Sequence, residues 1–168
     1  DPTRGHPDAI AVVRTSGSTG TPKQTLLTAS GLAASAEATA QRIGGQGQWL
    51  LAVGTQYVAG LAVVSRSVQA GTVPVTIDPG FSPAEFVAGT NQLDHEFTAV
   101  SMVPTQMLRL LDDDAAIAAL QSYSAILVGG AAIPERITEA AKRYGLHLHR
   151  TYGMSETCPI LTLAQLKP

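Results

Sequence analysis

Cysteine is nearly missing from this sequence: Cys158 is the sole thiol among 168 residues. That excludes a disulfide framework and a cysteine-built zinc site. Aromatic residues are scarce at 5%, with three Phe and one Trp, and charged residues make up only 14%. Disorder needs high charge and low hydrophobicity, so a chain with 45% hydrophobic residues is expected to bury a core. Neither sign of charge dominates, since 11 Lys and Arg stand against 13 Asp and Glu for a net charge of −2. Nucleic acid and anionic membranes call for a basic patch, so neither partner is expected. Long apolar runs are also missing, because Gly, Pro or a polar residue interrupts each one, which argues against a transmembrane helix. The opening residues, from Asp1 to Asp8, hold no apolar signal segment. The expectation from these absences is a cytoplasmic protein of about one domain.

Alanine and glycine are plentiful instead, at 25 and 16 residues. Alanine favours helices and glycine punctuates turns. Apolar runs at 9–13, 25–28, 49–53, 73–77, 97–102, 125–128 and 147–150 read as strands. Helices are expected from a Ser30 cap to residue 43, then over 61–70, from 83 behind a Ser82–Glu85 capping box, over 104–111 and 114–122, and from Pro134 to 144. Strands alternating with helices across short Gly-bearing turns predict an α/β fold with a mostly parallel sheet. Ligands of such sheets sit beyond the carboxyl ends of the strands, where three Gly-rich segments fall.

The first segment, Thr15-Ser16-Gly17-Ser18-Thr19-Gly20-Thr21-Pro22-Lys23, crowds five hydroxyls, two glycines and a lysine behind a strand. Backbone N–H groups, hydroxyls and the Lys23 charge suit an anion, while the plain alternative is a surface loop. Pro22 and Gln24 flank the lysine, so it is not a Walker A loop. The second, Val128-Gly129-Gly130-Ala131, gives a flat ligand bare backbone to lie against, or else is a tight strand-to-helix turn. The third, Thr151-Tyr152-Gly153-Met154-Ser155-Glu156-Thr157, offers a stacking ring, a hard carboxylate oxygen for magnesium and two further hydroxyls. The four histidines, His6, His95, His147 and His149, fall outside all three segments. His147 and His149 alternate on an expected strand and read as a packed or surface pair rather than a metal site.

Taken as a set, in order and spacing, the three segments resemble those of the adenylate-forming superfamily of acyl-CoA synthetases, luciferases and peptide-synthetase adenylation domains. Within it, Trp49 to Val53, Val58 to Ser67 and Arg150 to Thr157 resemble the o-succinylbenzoate–CoA ligases of menaquinone synthesis. The resemblance implies a partial large N-terminal domain over 1–168, with no counterpart of the small C-terminal domain and its lysine. It implies ATP, Mg²⁺ and coenzyme A, and a small carboxylic acid as substrate. The acid's carboxylate attacks the α-phosphate of ATP, pyrophosphate leaves, and the coenzyme A thiol then displaces AMP.

Residue by residue, the resemblance assigns the phosphates to Thr15, Ser16, Gly17, Ser18, Thr19, Gly20, Thr21 and Lys23. It gives the adenosine to Gly129, Gly130, Ala131, Tyr152, Gly153, Met154 and Ser155, with Tyr152 stacked on adenine. Glu156 would bind Mg²⁺, Thr157 would contact the α-phosphate or acyl carboxylate, and Lys23, Glu156 and Thr157 form the catalytic set. The acid would meet Tyr57, Gly60, Arg66, Ser101 and Gly130. Arg66 is the candidate for a second substrate carboxylate, because a guanidinium matches a carboxylate with two hydrogen bonds; a solvated helix-face charge is the alternative.

Some positions depart from the family pattern. Gln24 replaces a glycine after the lysine, and Gln56-Tyr57 replaces an aromatic–histidine pair. The tail from Cys158 to Leu163 looks more like a fatty-acyl-CoA ligase. Three readings therefore stand at this stage: a succinylbenzoate ligase piece, a fatty-acyl ligase piece, or a nucleotide-binding domain without turnover. Surface that normally packs on missing elements would favour self-association into a homo-oligomer.

Overall fold

Short β-branched and aliphatic runs become strands, and the alanine-rich stretches between them become helices. In the computed structural model, which describes residues 7–15, 23–153 and 162–165, the order begins β1 (Ala9–Thr15), β2 (Lys23–Thr28), α1 (Ala29–Ile43), β3 (Gln48–Leu51), α2 (Val58–Ala70) and β4 (Val75–Thr76). It continues α3 (Pro83–Thr90), β5 (Thr98–Met102), α4 (Pro104–Leu110), α5 (Asp114–Gln121), β6 (Ala125–Val128), α6 (Glu135–Tyr144), β7 (Leu148–Tyr152) and β8 (Thr162–Gln165).

Six strands make one sheet in the order β4-β3-β5-β6-β7-β8. All its pairings are parallel except β7 with β8, so the fold is α/β with a mostly parallel sheet, as the alternation predicts. Strands buried on both faces need apolar side chains on both, and every residue of β6 is buried. On one face Leu50, Val100, Ile126 and Leu148 pack with Phe86, Met107, Leu120 and Ile137 of the helical side. On the other, Trp49, Ala99 and Leu127 meet Ile43 of α1 and Val63 of α2. No helix among the described residues is long and apolar enough to cross a membrane.

The strand order reverses at β3. From β3 the chain steps to β4 on one side, then returns to β5 on the other. The segment after β3 enters α2, on the Trp49 face, whereas the one after β5 enters α4, on the Met107 face. Diverging connections of this kind open a crevice at the carboxyl ends of the two strands.

Several expectations need correction. β1 and β2 are not part of the parallel sheet; they form a separate antiparallel hairpin. Its Val13 and Leu27 bury against Leu32 of α1, with Val58 and Leu61 of α2 alongside. Thr28, not Ser30, caps α1, its Oγ1 accepting from the Gly31 N–H at 3.1 Å. α2 starts at Val58, three residues before the apolar periodicity suggests. The 73–77 strand shrinks to Val75–Thr76; Pro74, with no N–H for a ladder, accounts for its late start. β8 was not expected, and it places part of the divergent tail on the sheet beside β7. The capping box stands: Glu85 N–H donates to Ser82 Oγ at 3.3 Å, and Ser82 N–H donates to Glu85 Oε2 at 2.7 Å.

Candidate active-site crevice

Two cavities open at the carboxyl ends of the parallel strands. The smaller, about 140 Å³, occupies the crevice at the order reversal. Val53 follows β3, Val58, Ala59 and Ala62 come from the start of α2, and Ser101, Met102 and Val103 from the end of β5. Leu127, Gly129 and Gly130 close it from β6, and Thr151 and Gly153 from β7. Its walls are apolar apart from Ser101, Thr151 and one charged side chain, Arg66. The larger cavity, about 580 Å³, lies beyond β6 and β7. Ala131, Ala132 and Ile133 face Arg150, Tyr152 and Ala164 across it. Gly130, Thr151 and Gly153 line both cavities, so the two meet along one backbone seam.

The two glycines at the seam serve different needs. A Cβ on Gly129 would collide with Thr151 Oγ1 and stand 2.6 Å from the Thr151 carbonyl oxygen, so the approach of β7 excludes a side chain there. Gly130 has room, with Val103 Cγ1 3.6 Å from the equivalent point, but its φ of +83° favours glycine.

Arg66 is 5% exposed on α2. Its Cζ lies 5.0 Å from the centroid of the Trp49 ring, and Nη2 donates to Thr39 Oγ1 at 3.5 Å. Nε has no hydrogen-bond partner, and no carboxylate among the described residues pairs with the side chain. Burial pulls the guanidinium pKa down from its ordinary value to about 10. It is thus a cation at neutral pH with no carboxylate in place among the described residues. The residue lines the smaller cavity, while its guanidinium lies beside Thr39 and Trp49, which with Arg66 also line a narrow cleft next to α1.

The other expected site residues are placed as follows. Ser101 is buried on the wall of the smaller cavity, and Tyr152 stands 62% exposed at the larger one. Tyr57 points outward at 60% exposure, and Gly60 packs against the backbone of Gly54 and Thr55. Thr15 and Lys23 are Cα partners at the end of the hairpin, joined through 16–22. Ser16, Gly17, Ser18, Thr19, Gly20, Thr21, Met154, Ser155, Glu156 and Thr157 lie outside the described residues. Sequence reasoning had Thr151 at the head of the third segment but gave it no role, and it missed the apolar lining, because aliphatic residues carry no chemical signal until the fold places them.

The histidine pair divides. His147 Nδ1 lies 3.0 Å from the Tyr123 carbonyl oxygen. His149 is buried with Nδ1 unpartnered, its pKa lowered by burial first and then by the charges of His147 and Arg42. Among the described residues no three His, Cys, Asp or Glu side chains are grouped to hold a metal.

Residues 1–168 match the family of AMP-binding enzymes. The "probable 2-succinylbenzoate–CoA ligase" of Mycobacterium tuberculosis is 47% identical over 152 residues, covering 89% of this chain and 40% of that one. The o-succinylbenzoate coenzyme A synthetase of Bacillus subtilis in complex with AMP superposes with a TM-score of 0.80 at 28% identity, over 95% of this chain and 40% of that one. The same Bacillus subtilis synthetase with ATP and magnesium gives 0.77 at 29% identity, over 92% and 32%. The chain thus spans less than half the length of these relatives.

Proposed function

The chain belongs to the AMP-binding enzyme family, and from that premise we propose that it forms the nucleotide- and acid-binding part of an AMP-forming acid–CoA ligase. The acid is a dicarboxylate of the o-succinylbenzoate kind. The observation that carries the substrate class is Arg66, buried in the wall of an apolar crevice without a carboxylate partner among the described residues. A buried charge is costly unless paired, and a second substrate carboxylate supplies the missing anion. An alkyl chain would leave that charge unanswered.

The paired cavities support the reaction class. An acyl-adenylate has an adenosine end, an acyl end and a phosphate between them, and the two cavities with their shared backbone seam suit that shape. In this reading the substrate's other carboxylate attacks the α-phosphorus of ATP at the seam, pyrophosphate leaves, and the coenzyme A sulfur later displaces AMP. The protein's part is positioning and charge neutralisation. Gly130 leaves backbone open at the junction, Ser101 and Thr151 offer hydroxyls, and Tyr152 offers a ring to adenine. Lys23 and the hydroxyls between Thr15 and Thr21 would meet the leaving phosphates, and Thr157 the α-phosphate. Magnesium, which the Bacillus subtilis relative binds with ATP, would fall to Glu156 and would neutralise phosphate charge.

Calorimetric titration with two sulfamoyl adenosines, one o-succinylbenzoyl and one dodecanoyl, tests this reading. The succinylbenzoyl compound should bind more tightly, and Arg66→Met should weaken it about 30-fold or more, the cost of removing one partner of a buried charge pair. Preference for the dodecanoyl compound would instead favour a fatty acid. Failure of both to bind would leave a folded domain without the activity.

A further inference from the structure

The crevice is held open by diverging connections, so something must fix its width. We propose that Gln106 is the positioning residue that does so, tying the ends of β3 and β5, which line the acid pocket, to each other and to the segment after β4, and thereby setting affinity for the acyl group. The inference rests on the acid-pocket reading of the smaller cavity.

Gln106 lies in the first turn of α4, is 6% exposed, and spends its whole amide on backbone. Oε1 accepts from the Val103 N–H at 3.0 Å, at the end of β5. Nε2 donates to the Ala52 carbonyl at 2.8 Å, just past β3. The same nitrogen donates to the Pro79 carbonyl at 2.8 Å, after β4. One side chain therefore bridges the segments leaving β3, β4 and β5 across the order reversal. A flipped amide would turn its oxygen toward two carbonyl oxygens, so the pattern admits one orientation. Val53, the residue after Ala52, and Val103 itself line the smaller cavity. Neither lines the larger one, so the clamp acts on the acyl side and leaves the adenosine side alone. Arg109, one turn on, holds the Gly80 and Phe81 carbonyls at 3.0 and 2.7 Å. That keeps the segment after β4 anchored when Gln106 is altered.

The test compares the chain with Gln106→Met, similar in length but unable to make these bonds, and Gln106→Glu. Each is titrated with AMP and with the o-succinylbenzoyl sulfamoyl adenosine. Gln106→Met should lose about tenfold or more in affinity for the acyl compound while AMP affinity holds. Gln106→Glu sets a carboxylate against two carbonyl oxygens, which raises its pKa; once protonated it can donate to one of them. Its acyl affinity should therefore recover as pH is lowered from 8 toward 6, against a flatter unsubstituted chain. Equal losses toward both ligands, or no recovery in Gln106→Glu, would show a residue that only stabilises the fold and would overturn the proposal. If Gln106→Met does not fold, the pH series on Gln106→Glu decides. An unsubstituted chain that takes AMP but not the acyl compound would overturn the acid-pocket reading and the clamp with it. An unchanged acyl preference in both variants would overturn the clamp alone.

Discussion

Arg66 is costly to the free protein in the very property that suits it to a ligand. Its pKa, lowered to about 10 by burial, reports a desolvation penalty that persists at neutral pH, since both folded and unfolded forms are charged there. Removing the charge should relieve it, so the melting temperature of ligand-free Arg66→Met should be no lower than that of the parent by scanning calorimetry. A fall of several degrees would mean that the Trp49 and Thr39 contacts outweigh the burial cost. His149 argues in the other direction of pH. Its folded pKa lies below the ordinary 6.5, so as pH drops below about 6.5 the unfolded chain takes up a proton that the folded chain resists. Stability should fall from pH 7.5 to 5.5, and His149→Leu should flatten the decline in thermal melts; parallel slopes would refute this. Neither behaviour was legible in the sequence. Arg66 stood out by type and left open a solvated charge, and only packing against Trp49 removes that alternative.

At the scale of elements, local chemistry is the most readable. Ser82, Pro83 and Glu85 announce the start of α3 by type and spacing, and the structure forms both reciprocal bonds. Those bonds hold the Glu85 carboxyl below its usual pKa, with the Ser82 backbone N–H the main cause. Ser82→Ala should cost about 1 kcal/mol, read as a melting point lower by about 3 °C; no change would show that α3 is held by Phe86 packing alone. Where a signal was split, the helix over 104–111 was still readable, but the partners of its first turn were not. Val103-Pro104-Thr105-Gln106 places proline and glutamine as a helix start does, but the residue at the cap is valine. Gln106 answers with half a capping box through its oxygen and turns its two amide hydrogens to carbonyls 27 and 54 residues away in sequence. No local pattern reports such partners. β1 and β2 looked like members of the sheet because short apolar runs do not say which other strands they pair with.

For the whole molecule, alternation was enough to give the layers and the parallel sheet, and glycine placement gave the end of the sheet where a ligand would lie. Strand order was not legible, and with it the crevice, because β4 and β5 are equally good neighbours for β3 until all three are assembled. The smaller cavity takes its walls from residue 53 at one extreme and residue 153 at the other. For a chain being made on a ribosome, this places recognition late. The hairpin, α1 and β3 emerge and can settle while no pocket exists, and the seam closes only when β7 has cleared the exit tunnel. A nascent chain is accordingly blind to its own substrate until β7 is out, and ligand cannot act as a template for the early strands.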